Sequence, residues 1–513
     1  MIGVWRSLLW KEWREQRSVL LILTSFFVFL PAMFSLRTPT NYFGAMSITL
    51  FAIPLVSMFV AMNIAAGEQA SGTIGFLQSL PVSRRKWATA KLLWAMFVVV
   101  MPILTVVGVA ALLRQLIGNA AHEAIERDAL EFGIDGDWFA TRLIVPLVTA
   151  VSFLLWMAAP GVNRSDEVRA GAIGLLTAVA YWAFVALIAE LVKWFTGSGA
   201  SRIVSILSAM GAGGIAIMDP PPTFGGDPSI LRPRWAQYAA VMFVTHLALA
   251  AWFVLRFGRV IPGNPLVAEP SVGKQGKSWL APPRRSPLEA IIWKQVRESL
   301  PLAALGALSI AVIALVIYFG SRRSGEYELS ASQSLTGIGA IWMIVGFMVA
   351  TVAGIGVFVD DLTPGINTFW RSRPIRIGSW FAVKYVTGLL ITVFTLAIPL
   401  LLATAGVLLF TDGFEDERLR EEAQIFVAIG ALGQVAMYSS SLAAMVLLRR
   451  PIHAAFVSMA ATYGAFVASV VLVGLARMRI ADEILLPVMA VLYSLLALLL
   501  GWLAVRRDWG WKR

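Results

Sequence analysis

About twelve long apolar runs govern what this 513-residue chain can fold into: 18–36, 43–66, 92–113, 140–160, 170–192, 236–257, 300–320, 333–357, 385–410, 423–448, 454–476 and 484–505. Each matches the roughly 20 residues that an α-helix needs to cross the hydrocarbon core of a bilayer. Charged residues make up 14% of the chain, where a soluble domain carries about a quarter. The runs lack the alternation of barrel strands, so their backbone groups must be satisfied within helices. The expected fold is an all-α polytopic membrane protein with about twelve transmembrane helices.

The net charge of +12 raises the question of a nucleic-acid partner, and its placement answers it. An even number of spans puts both termini on one side. With that side cytoplasmic, the lysines and arginines favour the cytoplasmic segments by about two to one, the bias that sets orientation. The charge is topological; the lipid membrane is the implied partner and no nucleic acid is expected. Residues 1–36 resemble a signal peptide in having basic residues before an apolar run. The run is too long for that, and the same preamble recurs mid-chain.

That recurrence organises the chain. Trp10, Lys11, Arg14 and Glu15 of LLWKEWREQRSVLL fall on Trp293, Lys294, Arg297 and Glu298 of IIWKQVRESLPLAA. Apolar residues share one helical face with bases opposite, a pattern that predicts an amphipathic interfacial helix before the first span of each copy. Further on, Glu68, Gly72, Phe76, Ser79, Pro81, Trp87 and Lys91 fall on Asp361, Gly365, Phe369, Ser372, Pro374, Trp380 and Lys384 without a gap. Tyr181 to Phe184 faces Tyr463 to Phe466 in the fifth span of each copy. The expected domains are a first six-span half at 1–258, a Pro/Gly-rich cytoplasmic linker at 259–286 and a second half at 287–513. An even span number gives the halves the same orientation, a parallel repeat.

Enzyme chemistry finds no footing. There are no cysteines and three scattered histidines, which removes thiolate sites and a histidine metal cluster. No phosphate loop, dinucleotide fingerprint, HExxH or GxSxG occurs. The chain is expected to be no enzyme and to bind no cofactor.

Glu68-x-x-x-Gly72-Thr73, then Leu80-Pro81-Val82-Ser83-Arg84, then Lys91 opening the next span, resembles the first cytoplasmic loop of ABC-2-type transporter permeases. The WKEWRE helix and the six-span unit are similar to that family too, as two fused copies covering nearly the whole chain. The second copy departs from the pattern, with Asp361 for Glu, Pro364 before Gly365, Ile366 for Thr and Arg-Pro-Ile-Arg for Leu-Pro-Val-Ser. The resemblance implies a permease of an ATP-driven transporter, usually an exporter, in a bacterial-type inner membrane. Its ATPase, with ATP and Mg, would be a separate chain, and the transported substrate is unnamed. The loops at 67–91 and 360–384 would be the coupling elements. The local pattern is compatible: Ile74, Leu77 and Leu80, and Ile366, Phe369 and Trp370, each share a face suited to a partner's groove. Pro81 and Pro374 end those helices, and Arg84 onward meets the anionic lipid surface.

Within the spans, Asn63, Glu190, His246 and Gln434 are the candidates for a substrate path. Glu190 with Lys193 also suits a solvated helix-end pair, and His246, Asn63 and Gln434 suit interhelical hydrogen bonds. The acidic segment 114–139 and the Gly/Pro-rich segment 196–235 are expected as external loops. Two six-helix halves also describe a secondary, ion-coupled transporter, which would need ionisable residues gathered at the bilayer midplane.

Overall fold

The computed structural model describes residues 2–35, 42, 46, 49–50, 52–70, 73–74, 82–117, 138–164, 167–196, 202–213, 235–259, 286–322, 331–359, 361–362, 376–410, 417–476 and 482–508. Among the described residues there are thirteen α-helices and no strand. The helices are α1 (Ile2–Ser35), α2 (Ile53–Ala70), α3 (Arg84–Ile117), α4 (Trp138–Gly161), α5 (Glu167–Thr196), α6 (Arg202–Met210), α7 (Trp235–Arg256), α8 (Pro287–Arg322), α9 (Ala331–Val359), α10 (Ile377–Phe410), α11 (Glu417–Leu448), α12 (Pro451–Ala476) and α13 (Asp482–Arg507). They gather into two compact units. One holds Met1–Phe257 with Val312–Ser330 and Met459–Met489; the other holds Gly258–Ala311, Ala331–Ser458 and Ala490–Arg513.

Eight helices, α1, α3, α4, α5, α7, α10, α11 and α13, are long and apolar enough to cross a membrane. The other expected spans fall on α2, α8, α9 and α12, and α9 holds the shorter apolar stretch Val345–Val359. The chain is an all-α polytopic membrane protein. Lipid supplies the environment that water would deny: Leu492, Leu495, Leu496 and Leu499 expose one face of α13, and Phe243, Val244 and Leu247 are exposed on α7.

The expected interfacial helices are not separate elements. Trp10, Lys11, Arg14 and Glu15 lie in α1, which continues unbroken into the first span, and Trp293, Lys294, Arg297 and Glu298 lie likewise in α8. No glycine or proline separates residues 4–30 of α1, so no residue type there favours a break. At 1.5 Å per residue, the 34 residues of α1 extend about 51 Å, against a hydrocarbon core of about 30 Å. The amphipathic turns are an arm of the spanning helix.

In the second unit, α9 and α11 approach closely through glycine. A side chain at Gly346 would collide with the Gln434 amide, and one at Gly354 would collide with Ser441 and the Tyr438 carbonyl. Small residues permit such contact where no hydrophobic drive separates helix from lipid.

The segment expected as an external loop at 196–235 instead folds inward over its described residues. α6 and the following 211–213 pack among α4, α5 and α7, and side chains from the middle of these helices satisfy the carbonyls that a helix end leaves orphaned. The Tyr181 hydroxyl donates to the Leu207 carbonyl (2.7 Å), the Trp156 indole to Met210 (3.1 Å) and the Trp182 indole to Ala212 (3.2 Å). Ser152 Oγ accepts from the Gly213 N–H (2.8 Å) and donates to the Gly211 carbonyl (3.4 Å). Gly213 has φ 75°, a conformation natural to glycine. Irregular backbone at membrane depth survives only when its polar groups are met in this way. Ser152→Ala removes the hydroxyl with the smallest change of volume, leaving buried backbone groups unmet. It should lower unfolding stability by about 1–3 kcal/mol, read as a lower thermal midpoint of the detergent-purified chain, with no loss of membrane insertion.

Candidate functional site

The first unit carries a buried ion cluster at one end of α1, α2 and α3. Glu68 lies two residues before the end of α2. The Thr73 N–H bonds back to the Glu68 carbonyl (3.0 Å) and its hydroxyl bonds to the Glu68 carboxylate, which closes the helix end. Lys91, in the second turn of α3 and 3% exposed, reaches Glu68 at 2.9 Å. Lys11, from the arm of α1, reaches the same Glu68 oxygen at 2.9 Å and Glu15 at 3.1 Å. Glu12, whose side chain is fully buried, lies 3.7 Å from Lys91 and 3.5 Å from Lys11, and accepts from Gln16 at 3.1 Å. The Trp87 ring, itself buried, stands 5.7 Å from the Lys11 ammonium and covers the group. Three carboxylates converge here, from Glu12, Glu15 and Glu68, but two ammonium groups already occupy the space between them.

The second unit repeats this at the positions the sequence repeat pairs. Lys384 of α10 bonds Asp361 and also the Val357 carbonyl in the last turn of α9. Lys294 of α8 reaches Asp361 at 2.6 Å and Glu298 at 3.6 Å. Phe358 and Trp380 lie 5.0 and 5.8 Å from the Lys384 ammonium, a cation–π cover of about 0.5–2 kcal/mol each. Gln295 stands where Glu12 stands in the first unit; its amide donates to Ser299 at 2.7 Å, as Gln16 donates to Glu12.

Burial alone would raise both acids, since it penalises the charged form. At Glu68 the ammonium groups of Lys91 and Lys11, with the hydrogen bonds from Lys11 and Thr73, outweigh it and hold the carboxyl at about 2. At Asp361 the charge of Lys384 and the hydrogen bonds from Lys294 and Lys384 overcome burial in the same way and lower its pKa. Both acids are ionised throughout the physiological range.

The pairing has a mechanical meaning. Glu68 stands where the first loop leaves α2, and Lys91 where it has just entered α3. Their ion pair ties the two roots of the loop together, and Lys11 adds α1 to the same knot. Asp361, Lys384 and Lys294 do this for the second loop. Of the sequence candidates, the structure thus brings together Lys11, Glu15, Glu68 and Thr73, and separately Lys294, Glu298 and Asp361. Arg84 is exposed at the start of α3. Trp10, Arg14 and Arg297 are exposed and Trp293 half-buried on their arms. Gly72, Phe76, Leu77, Leu80, Pro81, Gly365, Phe369, Trp370 and Pro374 lie outside the described residues.

The in-span candidates do not converge. His246 Nε2 sits 2.9 Å from Ser152 Oγ, an interhelical bond beneath α6. Asn63 is half-buried against Gly67, one turn further along α2. Gln434 is fully buried, and neither atom of its amide has a hydrogen-bond partner among the described residues. The Glu190 side chain lies outside the described residues, as does the acidic stretch 118–137. Sequence reading missed Glu12, Gln16, Ser152 and Gln295. The signal for Glu12 was present: it shares a helical face with the buried Leu8 and Val19.

Residues 9–160 match a family model described as ABC-2 family transporter protein. That segment carries the pattern of the ABC-2 transporter family. It runs from the arm of α1 to the end of α4, so the whole of the first ion cluster lies inside the part of the chain that matches the family. No curated protein matches the chain.

Removing one member of a buried ion pair strands the others, at about 3–5 kcal/mol. Glu68→Gln should destabilise the permease by about that much. Its pKa also sets a pH signature. A carboxyl held at about 2 against an ordinary 4.5 contributes stability that is present above pH 4.5 and lost as pH falls toward 2. Unfolding titrations should show the wild type losing stability in that window and Glu68→Gln showing a flatter acid limb.

Proposed function

We propose that the chain is the membrane subunit of an ATP-driven exporter built from two six-span halves, 1–258 and 287–513, joined by the linker 259–286. Both termini face the cytoplasm of a bacterial-type inner membrane. ATP and Mg are bound and hydrolysed on a separate ATPase, which meets the permease at the loops 67–91 and 360–384. The carrying observation is the recurrence of one lysine–acid–lysine knot at the root of each loop. A loop whose ends are clamped transmits a push at its tip to both helices it joins, and here to a third through the arm of α1 or α8. Loops with free roots would absorb the same push by bending.

Charge placement supports coupling over ion-driven transport. Lys11, Glu68, Lys91, Lys294 and Lys384 lie toward the ends of their helices, and Asp361 lies in the turn just beyond α9. A secondary transporter needs such groups near the midplane. The half-buried His246 is engaged by Ser152 rather than joined to another ionisable group.

The purified permease should show no ATP hydrolysis alone and should support substrate-stimulated hydrolysis when reconstituted with its partner. Replacing Phe76 and Leu80 by glutamate should abolish that stimulation while leaving the helical content and thermal midpoint of the permease unchanged. Normal stimulation in the double variant would remove loop 67–91 from the coupling path.

A further inference from the structure

α7 and α13 end on the same pair of side chains. Trp252 precedes Arg256 by one helical turn at the end of α7, and Trp502 precedes Arg506 by one turn at the end of α13. The Arg256 guanidinium lies over the Trp252 ring at 4.5 Å, and that of Arg506 over the Trp502 ring at 5.2 Å. Both arginines are exposed. A guanidinium stacked on an indole is held in place by the ring, yet its edge keeps the fork of N–H donors that matches a phosphate.

Each of these ends meets the basic start of another helix in its own unit. Phe257, the residue after Arg256, packs edge-on against Trp87 of α3 at 5.2 Å. Trp87 directly follows the exposed Arg85 and Lys86. In the second unit the Trp502 indole nitrogen lies 3.7 Å from where a Cβ on Gly378 would stand, in the first turn of α10. Arg376, just before that helix, is exposed as well. Asp508, close in sequence to Arg506, accepts from Arg449 at 2.7 Å. The same arrangement, an arginine on tryptophan beside the basic start of a neighbouring helix, thus arises separately in both units.

Behind each arginine the helix shows apolar surface. Trp252 and Leu255 are exposed on α7, and Leu495 and Leu499 on α13. A soluble anion would match the arginine alone. A phospholipid matches both parts, with its phosphate at the guanidinium and its acyl chains along the apolar face. A zwitterionic headgroup would bring a cation against the second base, which an anionic one does not.

We propose that each unit holds one anionic phospholipid by its headgroup, at Arg256 with Arg85 and Lys86 in the first and at Arg506 with Arg376 in the second. The headgroup bridges the end of α7 to the start of α3, and the end of α13 to the start of α10. Lys91 and Lys384 lie further along those same helices, so each lipid sits beside an ion cluster. The proposal stands whatever the chain transports.

Native mass spectrometry tests it. The detergent-purified chain is titrated with phosphatidylglycerol, and separately with phosphatidylcholine of the same acyl chains, and bound lipids are counted. Phosphatidylglycerol should fill one site in each unit before further lipid binds, and phosphatidylcholine should show no such preference. An arginine near an anionic lipid surface is worth about five-fold in affinity. Arg256→Gln should therefore raise the dissociation constant of one site by about that factor, Arg506→Gln that of the other, and the double variant that of both. Arg450→Gln removes the same charge from another exposed position of the second unit and should leave both sites unchanged. The substituted arginines are exposed, so each variant should keep the wild-type thermal midpoint. Equal losses from Arg450→Gln and Arg506→Gln would reduce the effect to diffuse surface charge and overturn the proposal. An unchanged double variant, or displacement of the lipid by millimolar inorganic phosphate, would overturn it as well.

Discussion

The ion pair between Glu68 and Lys91 is the interaction on which the first unit turns. Two charges are removed from water at the root of a long polar loop, and each would be costly there alone. They are tolerated because each neutralises the other, because Lys11 and Glu12 complete the set from a third helix, and because Trp87 covers the group. What results is a loop that cannot move at one root without moving at the other.

The second knot shows how far such a device tolerates change. Asp361 is shorter than glutamate, and Lys384 compensates by also bonding the Val357 carbonyl, where cations are favoured at a helix end. Glu12 becomes Gln295, yet a side-chain hydrogen bond to the residue four further along survives as Gln295 to Ser299. The geometry persists while the charge does not, which is why equivalence of position is a poor guide to equivalence of strength.

Much of this was legible beforehand. Lys11, Glu68 and Lys91 and their partners Lys294, Asp361 and Lys384 stood out because lysines and acids are rare in so apolar a chain and recurred in register. Their mutual contact was not legible, since Glu68 and Lys91 are separated by a loop whose closure no local pattern dictates. Glu12 was passed over beside Lys11, although its position on the face of Leu8 and Val19 was a sign of burial. The arms were expected to lie flat because amphipathicity says which face is polar and nothing about the angle to the membrane. α6 was expected outside because hydropathy counts residues and does not see carbonyls met by Tyr181, Trp156, Trp182 and Ser152.

The continuity of α1 has a consequence in leverage. A helix of 34 residues is about 51 Å long at 1.5 Å per residue, and no proline or glycine joint separates its arm from the start of its span. Rotated by about 10° at its inner end, such a rod carries its outer end sideways by about 9 Å. That is about the spacing of two packed helices. A displacement of Lys11 is therefore carried along α1 as far as Pro31, the first residue in that helix suited to absorb it.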